Sequence, residues 1–227
     1  MSTKRTVNGH PYIAYSQVRL SDEQMIKKSE DFKNLMANRR SVREFSTEPV
    51  PLSVLKNIIA TAASAPSGAN KQPWTFCLVS NAELKSAIRN LAEKEEEESY
   101  SGRMSERWLK DLEPLGTDWN KPFLENAPYL VIVFKRVYEE DENGKANNYY
   151  VNESVGIAVG FLLAAIHNAG LASLTHTPSP MNFLHQALKR PDNERAFLLI
   201  PVGFAEKECW VPDIKRKSEE EYLTEHF

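Results

Sequence analysis

Residues 152–170 read NESVGIAVGFLLAAIHNAG. Across residues 152–169 the apolar side chains Val155, Ile157, Val159, Phe161, Leu162, Leu163 and Ile166 fall around the whole circumference of a helix, not along one stripe. A helix that is apolar all round must be covered all round, so this segment predicts either the central helix of a domain or part of a subunit interface. Asn168-Ala169-Gly170 stops it. The apolar run from Val155 to Ile166 is twelve residues long, short of the roughly 20 that cross a bilayer.

Working outward, residues 129–134 (YLVIVF) and 196–202 (AFLLIPV) read as buried strands. Residues 75–80 (TFCLVS) and 171–177 read as further strands. Helices are expected over 22–38, from after Pro51 to about 64, over 82–98 and over 181–189. Ala65-Pro66-Ser67-Gly68 forces a turn after the second of these. Without strict βαβ alternation, these elements predict an α+β fold with a mixed sheet flanked by helices. Residues 1–20 form a polar arm, and 21–227 a single domain. Residues 99–122 are rich in charge and tryptophan without a steady apolar period, the pattern of a lid or binding loop.

The 227 residues carry 28 Lys+Arg and 31 Asp+Glu, a net charge of −3, with 41% hydrophobic residues. A balance this close to neutral argues against a nucleic-acid binder that works by bulk charge. Two scattered cysteines, Cys77 and Cys209, without a CxxC, fit a reducing compartment. The first 20 residues hold no apolar run that could serve as a signal-peptide core. The chain is therefore expected to be cytoplasmic, with neither membrane nor nucleic acid as partner.

The dinucleotide, P-loop, HExxH and GxSxG motifs are all absent, and the five histidines share no metal-ligand spacing. Four clusters remain. Arg39-Arg40-Ser41-Val42-Arg43 could hold a phosphate or simply complement a helix dipole. Residues 66–74, PSGANKQPW, form a turn beside an aromatic; Thr175-His176-Thr177-Pro178 places hydroxyls at a strand end; Lys215-Arg216-Lys217 is a basic patch near the C-terminus.

In this order the clusters, with PVGF at 201–204, resemble the flavin-dependent nitroreductase superfamily over residues 31–217. EEEESY at 95–100 and GRMSERWLKDLEPLGTDWNKPFL at 102–124 are similar to the active-site lid of its iodotyrosine deiodinase branch. The resemblance implies a nitroreductase-like, domain-swapped homodimer that binds FMN non-covalently and reductively dehalogenates halotyrosines. It places Arg39, Arg40 and Arg216 at the cofactor's phosphate, with Ser41 and Val42 nearby, and Arg43 at the flavin N1/O2 edge. Ser67 would reach the cofactor across the dimer, and Thr177 would donate to flavin N5, with Thr175 the second candidate. His176, which stands where the family usually has threonine, falls with them among the cofactor-binding residues.

For the substrate, the resemblance assigns Glu96, Tyr100 and Lys121 to the zwitterion and the Ala69 N–H to the phenolate oxygen. The chemistry is coherent, since an amino acid needs a carboxylate for its ammonium and a cation for its carboxylate. Glu96 and Tyr100, spaced i,i+4, share a face if the helix extends that far. The alternatives are a solvated acidic helix end, a general NAD(P)H nitroreductase or quinone reductase, and a flavin-bound sensor without turnover.

Overall fold

The computed structural model describes residues 3–142 and 144–227; Met1 and Ser2 of the expected arm lie outside them. Contacts divide the chain into two compact units, one ending at Asn38 and one running from Arg39 to Phe227.

In the first unit, β1 (Lys4–Val7) and β2 (His10–Ile13) form an antiparallel hairpin. Asn8 and Gly9 turn it with φ of 51° and 81°, the left-handed pair that a two-residue hairpin requires. The arm thus carries structure that its polarity concealed. Helix α1 (Asp22–Ala37) starts at a capping box between Ser21 and Gln24. It has no buried residue, and Met25, Ile26 and Phe32 are exposed.

The second unit is built on β3 (Trp74–Val79), β4 (Tyr129–Arg136), β7 (Ala172–Ser173) and β8 (Glu194–Gly203), in the order β3-β4-β8-β7. These strands pair antiparallel, and the parallel element is an isolated bridge from Ser41 to Ser173. The alternation along β4 sorts its side chains between two cores. Val131 and Val133 face α2 (Leu52–Ala63) and α6 (Val151–Asn168). Leu130, Ile132 and Phe134 face α3 (Ala82–Glu98) and α5 (Phe123–Asn126). Because both faces are covered, the strand reads as one continuous apolar run.

The other elements are α4 (Glu106–Leu112), β5 (Tyr138–Asp141), β6 (Gly144–Asn147), α7 (Asn182–Ala187) and α8 (Glu219–Tyr222). The expected strand over 171–177 shortens to β7. Leu174 comes opposite Pro201, which has no N–H to donate, so the ladder lapses. It resumes where His176 exchanges two backbone bonds with Leu199, at 2.9 and 3.1 Å.

By length and mean hydropathy α6 could cross a membrane, yet Val155, Ala158, Leu162 and Ile166 are fully buried in the core. Its other face, with Gly156, Ile157, Gly160 and Phe161, is exposed. The helix therefore has one covered face within the chain instead of being enclosed all round. Gly203 permits close approach of the chain at Pro128, since a Cβ there would collide with the proline ring. Buried Lys85 of α3 donates to the carbonyls of Glu125 and Ala127 at 2.8 and 2.7 Å, fastening the turn that starts β4.

Leu162→Ala should lower stability by about 2–5 kcal/mol in urea unfolding. Lys85→Met should cost about 1–3 kcal/mol by stranding buried carbonyls. Unchanged unfolding midpoints would contradict these roles.

Candidate active site

The site starts from the register of α3. Lys85, Ile88, Ala92 and Glu96 form its buried stripe, so Glu96 is the acidic residue that the helix carries inward. Three others of the acidic run have different partners: Glu93 pairs with Arg89 at 2.7 Å, and Glu95 and Glu98 both meet Arg103. The helix then passes into a single π turn over Ser99–Arg103, which delivers Tyr100 beside Glu96.

Lys121 closes the arrangement. Its Nζ lies 3.4 Å from the Glu96 carboxylate, and the two side chains are only 3% and 10% exposed. Lys121 also donates to Thr117 Oγ1 at 3.2 Å and to the Asp118 carbonyl. The Tyr100 hydroxyl donates to the Thr117 carbonyl at 3.1 Å, and its ring stands 5.5 Å from Nζ. Burial raises the pKa of Glu96 despite Lys121, and burial lowers that of Lys121 despite Glu96. Both groups are thus held as charges less firmly than in water, and each can accept a better counter-charge.

The pair lines a cavity of about 310 Å³ that also takes in Ser41, Arg43, Thr175, His176 and Thr177. Burial alternates over residues 41–43: Ser41 and Arg43 line the cavity while Val42 turns into the core at 8% exposure. The Val42 N–H is bonded to the Ser173 carbonyl at 3.2 Å. Burial lowers the pKa of the Arg43 guanidinium. Met104, Trp108, Leu112 and Leu115 supply an apolar wall from the segment expected to be a lid. That segment contains α4, capped by Ser105, whose Oγ accepts from the Trp108 N–H at 3.3 Å.

Beside the cavity the C-terminal segment returns to the start of the unit. Arg216 donates to the Arg39 carbonyl at 2.8 Å, and Arg40 donates to the Pro212 carbonyl. Burial, then the Arg216 and Arg40 charges, lower the pKa of Arg39. Three guanidiniums this close suit a phosphate, and with Arg43 lining the neighbouring cavity they fit FMN.

Ser67 and Ala69 lie outside this cavity in the single chain. Ser67 Oγ accepts from the Gln72 N–H at 2.9 Å. Ala69, Asn70 and Gln72 are held at φ of 45°, 55° and 48°, backbone strain of a kind that clusters at ligand sites. The Gly68 N–H ties the loop to Ser154 of α6 at 3.3 Å. Sequence reasoning missed Thr117 and Asp118, although their i−4 and i−3 spacing from Lys121 was a usable signal. It also missed Phe123, whose ring stands edge-on to His176 at 5.4 Å.

The nitroreductase family model matches residues 36–204. The iodotyrosine deiodinase of Haliscomenobacter hydrossis is 58% identical over 207 residues, covering 91% of this chain and 93% of its own. The human iodotyrosine deiodinase 1 is 46% identical, with 91% and 72% covered. A crystal structure of an oxidized iodotyrosine deiodinase bound to FMN and 3-iodo-L-tyrosine superposes with a TM-score of 0.75 at 32% identity, covering 85% of this chain and 99% of that one. Matches of this extent run through the α3–lid segment as well as the sheet, and on them the chain belongs to the nitroreductase family, in its iodotyrosine deiodinase branch.

Proposed function

We propose that the protein is an FMN-dependent reductive dehalogenase acting on halogenated tyrosine. The observation that carries this reading is the sealed Glu96–Lys121 pair with Tyr100 beside it. In the absence of substrate each charged group serves as the other's counter-ion. A zwitterion entering between them gives Glu96 an ammonium and Lys121 a carboxylate, so the buried site exchanges partners without gaining net charge. Tyr100, its hydroxyl committed to the Thr117 carbonyl, flanks the Lys121 ammonium and fixes the approach. The apolar wall from Met104 to Leu115 covers the halogenated ring and excludes water.

Arg39, Arg40 and Arg216 would hold the cofactor's phosphate, and Arg43 its pyrimidine edge, with Ser41 and the backbone of Val42 adjoining. When bound and reduced, FMN would supply two electrons, which with one proton replace the carbon–halogen bond by carbon–hydrogen and release halide, leaving the flavin oxidised. Thr177, or Thr175 in its place, holds a hydroxyl toward the reacting ring system. Ser67 and Ala69 reach the site from a second subunit, with the Ala69 N–H on the phenolate oxygen. A domain-swapped homodimer is supported by the bare face of α6 and by the family. The free thiols Cys77 and Cys209 suit a reducing cytoplasm.

Titration of the FMN-loaded protein with 3-iodotyrosine, followed by flavin fluorescence, tests this reading. Glu96→Gln and Lys121→Ala should each weaken binding roughly 10–100-fold. They should shift the affinity for 2-iodophenol, which lacks the zwitterion, less than threefold. Equal losses for both ligands, or none, would contradict the assignment. Because burial raises the Glu96 pKa, its carboxylate takes up a proton at a higher pH than an exposed glutamate does. Affinity should therefore fall as pH drops into that region, and this acid limb should vanish in Glu96→Gln. For the dimer, Phe161→Asp on the bare face of α6 should give a monomer in sedimentation with reduced FMN retention.

A further inference from the structure

His176 is 8% exposed and lines the cavity, yet its Nε2 is buried with no hydrogen-bond partner among the described residues. A stranded polar atom of this kind is destabilising unless something meets it. The imidazole has little freedom to seek a partner. Its backbone exchanges both bonds with Leu199, and its ring sits edge-to-face on Phe123 at an interplanar angle of 86°. Burial, followed by the Lys121 and Arg43 charges, lowers its pKa to about 3, so the ring is neutral at working pH. A neutral imidazole beside two cations can add a hydrogen bond to an anion that they attract without adding a third buried charge.

We propose that His176 Nε2 donates a hydrogen bond to an anionic oxygen bound in this cavity, and so acts as a positioning residue for the ligand that Lys121 and Arg43 draw in. The inference rests on the dehalogenase reading above. Two sources carry such an oxygen: the carboxylate of the amino-acid substrate on the Lys121 side, and the O2 edge of the cofactor, which gains negative charge when the flavin is reduced, on the Arg43 side. Either one gives Nε2 the partner it lacks.

The test compares His176→Gln, His176→Asn and His176→Leu. Glutamine places an amide nitrogen where Nε2 stands, whereas asparagine reaches only as far as Nδ1 and leucine keeps the bulk without a donor. Dissociation constants are measured for FMN from the apoprotein, and for 3-iodotyrosine and 2-iodophenol from the FMN-loaded protein. His176→Leu and His176→Asn should each lose roughly tenfold or more in one affinity, with His176→Gln within threefold of the parent. Loss confined to 3-iodotyrosine identifies the carboxylate; loss in FMN affinity identifies the cofactor edge. The proposal is overturned if the leucine and asparagine variants keep all three affinities, or if the glutamine variant falls with them, which would mark the ring as a space-filler. Should the leucine variant not fold, the glutamine–asparagine pair decides. A parent protein that binds neither FMN nor 3-iodotyrosine overturns the dehalogenase reading itself and is thereby told apart from failure of the His176 assignment.

Discussion

Withdrawing a carboxylate and an ammonium from water together costs several kcal/mol for each ion, and a contact as long as 3.4 Å returns only part of it. Much of the second unit around the cavity is organised by that constraint. Lys121 finds the rest of its coordination in Thr117 and the Asp118 carbonyl, which fixes the end of the lid segment. Its own N–H is bonded to Glu93 at 2.7 Å, so the segment is tied to α3 at two heights. Tyr100 in turn spends its hydroxyl on the Thr117 carbonyl. The pair is poorly rewarded as an ion pair and well placed as a receptor, because a zwitterion can replace each half with a closer partner.

The sheet supplies the rigid side of the cavity. Ser41 and Arg43 alternate with buried Val42, and Thr175 and Thr177 are exposed where they alternate with buried His176. Both sets of side chains are aimed by strand-like geometry against Ser173 and Leu199, not by flexible loops. The apolar wall, α4 and its flanks, thus faces a floor set by the sheet, and chemistry on a bound ring needs its groups held in place.

Much of this was legible in the sequence for reasons that can be named. The helix over residues 82–98 has the bounds expected of it, because Asn81 caps it and its apolar stripe has a helical period. Residues 129–134 announced themselves as a strand by an unbroken apolar run, and the strand continues through Lys135 and Arg136. The hairpin ahead of α1 was missed although Asn8-Gly9 is a strong turn signal, since neither strand alternates apolar and polar residues. The shortening of the strand at 171–177 needed knowledge of its neighbour, because Pro201 breaks the ladder from across the sheet. In the site, the inward turn of Glu96 is fixed by its phase with Ala92 and Ile88, but its pairing with Lys121 is a tertiary fact with 24 intervening residues. The orphaned Nε2 of His176 is likewise invisible to a pattern; a histidine between two threonines reads as a turn.

Anaerobic mixing of the fully reduced FMN-loaded protein with 3-iodotyrosine decides whether the exchange of partners at Glu96 and Lys121 leads to chemistry. One iodide and one tyrosine should be released for each flavin reoxidised, with the yield collapsing in Glu96→Gln at the same substrate concentration. Flavin that stays reduced while 3-iodotyrosine remains bound and intact would contradict the dehalogenase reading.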